Sequence, residues 1–259
     1  MDILISEEKG VRQLHFGSDW VQGAMRIARP YALELEYTRE MMAPLLFNPD
    51  SSWPRTALFI GLGVGALPKF LHKHRPACKI TVVEISPAVV AAAQMHFKLP
   101  PFSPNFQIEV NCGADYMANA VSRNSRQFDL IMVDGFDGKA KVGPLNSTAF
   151  YLNCKALLSE QGYLVANLLS NQKDSTQSKQ RLLDAFDGHA TALAPCASGN
   201  VIALAHVGAG FSSNLADLYA NCQRLKDETA LNLSNTVAKL IEACPKAVSY
   251  THLTLPTKA

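Results

Sequence analysis

The chain lacks the features that would assign it to a special environment. None of its six cysteines (Cys78, Cys112, Cys154, Cys196, Cys222 and Cys244) falls in a CxxC pair or in a cysteine/histidine spacing that builds a zinc site. Reduced, mostly buried thiols are expected. A long hydrophobic run is also missing: the longest uncharged apolar stretch, Ala57 to Pro68, is interrupted by Gly61, Gly63 and Gly65 and is too short to cross a bilayer. Neither charge is in useful excess. Lys plus Arg (24) against Asp plus Glu (22) leaves a formal charge of +2, too small and too evenly spread to recruit nucleic acid or an anionic membrane. The opening residues MDILISEEKG carry acids where a signal peptide needs a basic start, so a soluble, cytoplasmic protein is expected. There is no internal repeat and no low-complexity linker.

What remains is a 259-residue chain with 48% apolar and 18% charged residues, enough to fill an ordinary core. From Arg55 to about Asn167, β-branched runs alternate with helical stretches, the pattern of a parallel sheet flanked by helices. Strands are expected at Thr56 to Ile60, Lys79 to Glu84, Gln107 to Asn111, Phe128 to Asp134 and Tyr163 to Leu168. Helices are expected at Gly65 to His74, Pro87 to His96, Asp115 to Val121, Ser147 to Leu158 and Ser175 to Phe186. Ser86 before Pro87 is a start signal, a capping hydroxyl followed by proline at the first helical position. Ala192 to Pro195 and Val201 to His206 read as a terminal hairpin. Ile3 to Glu7 and Val11 to Phe16 read as an amino-terminal one, and Leu33 to Phe47 as a single amphipathic helix. The predicted fold class is α/β: a doubly wound, mostly parallel seven-stranded sheet with a small N-terminal β-hairpin element.

The strongest chemical signal is the turn Gly61-Leu62-Gly63-Val64-Gly65, directly after a strand and directly before a helix. Glycines there let the backbone turn sharply and approach a ligand closely, with helix amides aimed at it. Glu84, at the end of the next strand, can accept hydrogen bonds from both hydroxyls of a ribose. Together they indicate a nucleoside-containing ligand. A nicotinamide dinucleotide and S-adenosylmethionine or a derivative both suit that spacing.

The segment VEISP at Val83 to Pro87 and a fourth strand ending in Asp134 and Asp137 resemble the S-adenosylmethionine-dependent transferase fold, and more narrowly the spermidine synthase family of aminopropyltransferases. The resemblance runs from about Gln22 to His206 through LEYTREMMAPLLF, GLGVG, FKLPPF, FDLIMVDGFDG, Gly143-Pro144 and TAFYLNCKALLSEQGYLVANL. It implies transfer of an aminopropyl group from decarboxylated S-adenosylmethionine to an amine such as putrescine, with no metal. Gly61, Gly63, Gly65, Glu84, Ile85, Cys112 and Asp115 would hold the nucleoside, and Gln22 and Tyr37 would face the substrate. Asp134 and Asp137 correspond to the family's D-x-x-D segment, as proton acceptor and amine anchor. The chemistry supports two acids, because an alkylamine is protonated up to roughly pH 10.4 and attacks only after losing a proton. A homodimer is implied by the resemblance alone; a nucleic-acid or membrane partner is not expected.

Three departures from the family pattern bear on activity. The aspartate within the glycine turn is here Val64, the acid after the third strand is Cys112 with Asp115 beyond it, and the tyrosine of Y-x-E-M aligns with Thr38, next to Tyr37. They leave open a methyltransferase using ordinary S-adenosylmethionine, or a non-catalytic nucleoside-binding homologue. Lys139 and Lys141, after the D-x-x-D segment, would oppose a cationic substrate. His72, His74 and His96 read as helix-end residues and Met41 and Met42 as core. The expected organisation is residues 1–50 as hairpin and substrate-side helix, 51–210 as the nucleoside-binding domain, and 211–247 as a helical segment. Residues 248–259 are expected to be a non-native tail, since they resemble the translation of a sequencing-adaptor end, and the true carboxyl terminus would then be missing.

Overall fold

A computed structural model of the chain describes residues 2–17, 20–123, 127–136, 143–169, 175–208, 211, 213–244 and 248–249. Its centre is a seven-stranded sheet in the order β6-β5-β4-β7-β8-β10-β9. These strands are β4 (Thr56–Ile60), β5 (Lys79–Glu84), β6 (Phe106–Val110), β7 (Phe128–Val133), β8 (Leu158–Leu169), β9 (Ala190–Ala192) and β10 (Asn200–His206). The first five pair in parallel, and β10 runs antiparallel to both β8 and β9. Period-two alternation divides the core between two faces. Ala57 and Phe59 of β4 pack with residues of α3 (Ala66–His74), α4 (Pro87–His96), α8 (Leu215–Thr229) and α9 (Ser234–Ala243). Leu58 and Ile60 pack with residues of α5 (Gly113–Ser122), α6 (Thr148–Leu157) and α7 (Ser175–Ala185).

The expected architecture stands, with four local corrections. The amino-terminal element is a three-stranded antiparallel sheet, because β1 (Ile3–Glu8) and β2 (Val11–Phe16) are joined by β3 (Val21–Arg26), whose VQGAMR sequence carries no alternation. The expected helix Leu33 to Phe47 is broken into α1 (Glu36–Glu40) and α2 (Pro44–Phe47). Pro44 has no N–H for the carbonyl of Glu40, and the link is made by tighter bonds from Met42 to Arg39 and from Ala43 to Glu40. Arg39 holds the preceding segment open by donating to the carbonyls of Leu33 and Glu34. At the far edge, β9 lies at Ala190–Ala192 rather than Ala192 to Pro195, and β10 inserts between it and β8. Strand β8 is twice as long as read, starting directly where α6 ends. Of the expected tail only Val248–Ser249 is described, paired in parallel with Ser213–Asn214.

Candidate functional site

The carboxyl ends of the parallel strands open into a cavity of about 810 Å³. Its position follows from topology, since strand order reverses between β4 and β7, where the connecting loops diverge and leave a crevice. The glycine turn forms its floor. Gly61, at φ +95°, approaches β7 so closely that a Cβ there would lie 2.3 Å from the carbonyl oxygen of Asp134. Gly63 adopts φ +52° and Gly65 φ +68°, conformations a side chain would resist.

Glu84 closes one end. Its carboxylate accepts hydrogen bonds from the backbone N–H groups of Leu62 and Ser86, each at 2.9 Å, which ties the glycine turn to the end of β5. Burial pushes its pKa up while those amide bonds pull it down. Each carboxylate oxygen has accepted one such bond, leaving acceptor capacity toward the cavity. Ser86 caps α4 by accepting from the Val89 N–H, as its sequence predicted. Exposed Ile85 and half-buried Cys112, which precedes α5, also line this end. Asp115 and Gly65 are not brought to the cavity: Asp115 is exposed on the first turn of α5, and Gly65 is turned against Leu99 under α3. Val64 points elsewhere too. It is buried with Leu14, Met25 and Phe97, sealing the turn against the amino-terminal sheet at Gly23.

Asp134, immediately after β7, forms the other end. The ladder bond from its N–H to the Ile60 carbonyl fixes its backbone. Its carboxylate accepts from the Tyr37 hydroxyl at 3.2 Å and from the Asn167 amide at 2.8 Å. Burial raises its pKa, and the two hydrogen bonds work against that rise. Burial, together with the neighbouring Asp134 charge, also holds the Tyr37 hydroxyl well above the usual phenol range, so it remains a proton donor. The one-residue offset in the helix motif is thereby resolved: Tyr37 reaches Asp134, whereas Thr38 is buried and bonds the Leu35 carbonyl. Gln22 reaches the cavity wall from β3. Asp137, Lys139 and Lys141 lie outside the described residues.

Sequence reasoning missed Asn167 and Asn200. Asn167 donates to Asp134 and accepts from Asn200 at 2.9 Å, and Ser198 in turn donates to Asn200 at 2.6 Å. The available signal was a buried amide inside the apolar run YLVANLL, which requires partners. The charges converging on the cavity are one-sided: among the described residues lining it, Glu36, Glu84 and Asp134 are acidic and none is Lys, Arg or His. Such a wall suits a cation. The tempting histidines lie away from it, His72 against Phe106 and His74 against Phe70.

Residues 35–209 match the family model described as "Spermine/spermidine synthase domain". A polyamine aminopropyltransferase from Neisseria meningitidis serogroup A is 33% identical over 252 residues, covering 97% of this chain and 94% of the relative. One from Chromobacterium violaceum is 38% identical over 204 residues, covering 79% of this chain and 76% of the relative. Among solved structures, a probable spermidine synthase from Corynebacterium glutamicum superposes with a TM-score of 0.68 at 20% identity, covering 98% of this chain and 95% of that one.

Proposed function

The chain belongs to the spermine/spermidine synthase family, and on that premise we propose that it is an aminopropyltransferase, moving an aminopropyl group from decarboxylated S-adenosylmethionine to a small-molecule amine. The observation that carries this reading is the Asp134 carboxylate, held by Tyr37 and Asn167 in a cavity whose described lining is acidic and includes no Lys, Arg or His.

The nucleoside supplies a carbon bonded to a sulfonium, already a good leaving group: the nitrogen–carbon bond forms as the carbon–sulfur bond breaks and its electron pair passes to sulfur. The protein's part is therefore positioning and proton removal. Glu84 would accept the ribose hydroxyls, and Ile85 and Cys112 would flank the base. Asp134 would attract the cationic amine and accept the proton that must leave nitrogen before attack. Its raised pKa suits that task, because a more basic carboxylate takes the proton at smaller cost. Tyr37 and Asn167 would fix which carboxylate face meets the amine. Asp137 is proposed as a second anchor on the strength of the resemblance. No metal is required by this chemistry.

Incubation with decarboxylated S-adenosylmethionine and a panel of amines should release methylthioadenosine, and Asp134→Asn should lower the rate about a hundredfold or more. Absence of product with every amine would overturn the proposal. Consumption of ordinary S-adenosylmethionine in its place would establish methyl transfer.

A further inference from the structure

Resting on the reading of Asp134 as the proton acceptor, we propose that Asn200 is a positioning residue for that step: acting through Asn167, it fixes which atom of the Asn167 amide meets the Asp134 carboxylate. Topology brings the three residues together. Strand β10 runs antiparallel to β8, so its first residue, Asn200, lies at the edge of the sheet where the parallel strands end. Asn200 pairs with Leu169 and Ile202 with Asn167, which makes Asn200 and Asn167 diagonal neighbours on one face, within side-chain reach.

The hydrogen bonds among them can run in only one sense. An ionised carboxylate accepts and never donates, so Asn167 must turn its NH2 toward Asp134, which it does at 2.8 Å. Its oxygen then faces Asn200, which must present its own NH2, at 2.9 Å. The Asn200 oxygen is left to accept from the Ser198 hydroxyl at 2.6 Å. The two ends of an amide are almost alike in shape, and half a turn of the Asn167 amide would set oxygen against oxygen at Asp134. The NH2 of Asn200 holds the Asn167 oxygen on the far side and so opposes that turn. Bonds in such a chain polarise one another, and each one behind Asn167 strengthens its donation to Asp134.

The outer end of the chain is clamped. The turn from Cys196 to Asn200 is closed by the Gly199 N–H on the Cys196 carbonyl at 2.9 Å and the Cys196 N–H on the Asn200 carbonyl at 2.8 Å, with Gly199 at φ +82°. Helix α1 grips this turn: the Ala197 N–H donates to Glu36 at 3.4 Å and the Cys196 thiol to the buried Glu40 at 3.1 Å. Burial pushes the thiol up to about 12, so it keeps the proton it donates. From α9, the Lys239 ammonium binds the other Glu40 oxygen at 2.5 Å and lies 3.7 Å from Glu36. Helix α1 also carries Tyr37. One short helix therefore sets both arms that reach Asp134, Tyr37 directly and Asn200 by way of the turn and Asn167.

The test is Asn200→Leu, which keeps the side-chain volume and removes both hydrogen-bonding groups. With decarboxylated S-adenosylmethionine and putrescine, kcat should fall about three- to tenfold, and the acid limb of the pH–rate profile should rise by about half a unit to one unit. In an Asn167→Leu background the same replacement should change neither, because the chain is already cut. An unmoved limb in Asn200→Leu would overturn the assignment. An equal loss in both backgrounds would do so too, by showing that Asn200 meets the amine itself. Asn200→Ser keeps a donor and should move the limb less; it serves in place of leucine if that variant does not fold, and no movement there rejects the role. If the wild type releases no product with any amine, aminopropyl transfer is wrong, yet the positioning can still be read by NMR of carboxyl-labelled aspartate. The signal lost in Asp134→Asn should titrate about half a unit higher in Asn200→Leu, and equal midpoints would refute the proposal.

Discussion

Replacing Asn167 by leucine, which has nearly the same shape and no hydrogen-bonding group, separates geometry from charge at Asp134, the carboxylate proposed to accept the amine proton. Asn167 is 3% exposed and donates to Asp134 at 2.8 Å, a bond to an ionised group in a site withdrawn from water. Such a bond is worth about 1.5–3 kcal/mol, so kcat should fall roughly 10- to 150-fold if the bond holds Asp134 in its working orientation. A second consequence follows from sign. The Asn167 bond lowers the Asp134 pKa, so its removal raises that pKa further and moves the acid limb of the pH–rate profile to higher pH. Tyr37→Phe removes the other bond and should shift the limb the same way. Initial rates of methylthioadenosine release from pH 5 to 9 provide both readings. A loss of rate with an unmoved acid limb would show that Asp134 is not the titrating base, and an unchanged rate would refute the orientation argument.

Two further outcomes are expected. Glu84→Gln removes the charge proposed to face the ribose and leaves one acceptor oxygen for the two amides of Leu62 and Ser86, and should weaken nucleoside binding by about 1.5–3 kcal/mol in calorimetry; unchanged affinity would mean that the ribose lies elsewhere. Lys69 is fully buried beneath the glycine turn, donating to the Phe97 carbonyl at 2.6 Å and to the Met25 sulfur, and burial pushes its pKa down to about 7. The unfolded chain keeps that proton up to about pH 10.4, so between pH 7 and 9.5 the unfolded state binds more protons and this residue adds about 3 kcal/mol of stability as pH rises. Lys69→Met abolishes the increment. Denaturant unfolding of both proteins at the two pH values tests this, and a wild-type-minus-variant difference that is constant with pH would contradict it.

The parts of the fold legible in sequence are those governed by local rules. The ends of β4, β5 and α4 fall where β-branched runs, Ser86 and Pro87 put them, and Ser147 caps α6 by accepting from the Phe150 N–H. The break between α1 and α2 was marked by Pro44, yet an apolar stripe running through it read as one helix. Strand β3 has no local signature and exists because β2 offers it an edge. At the site, the glycine turn, Glu84 and Asp134 were legible because their spacing along the chain reflects successive strand ends. Asn167, Asn200 and Glu36 were not, since their importance lies in contacts across 33 to 161 residues of sequence. Val64 shows the converse: a position aligned with a ligand contact is here filled by a side chain turned into the core.

The bond between Lys239 and Glu40 joins the last described helix to the segment that carries Tyr37. Helix α9 lies beyond residue 209, where the match to the family model ends. The charge on the Glu36 side of the cavity is therefore partly set by a stretch beyond the residues that the family model matches. Variation along α9 can retune what enters the cavity without altering one residue of its wall, so relatives with the same strand-end acids need not share the same acceptor.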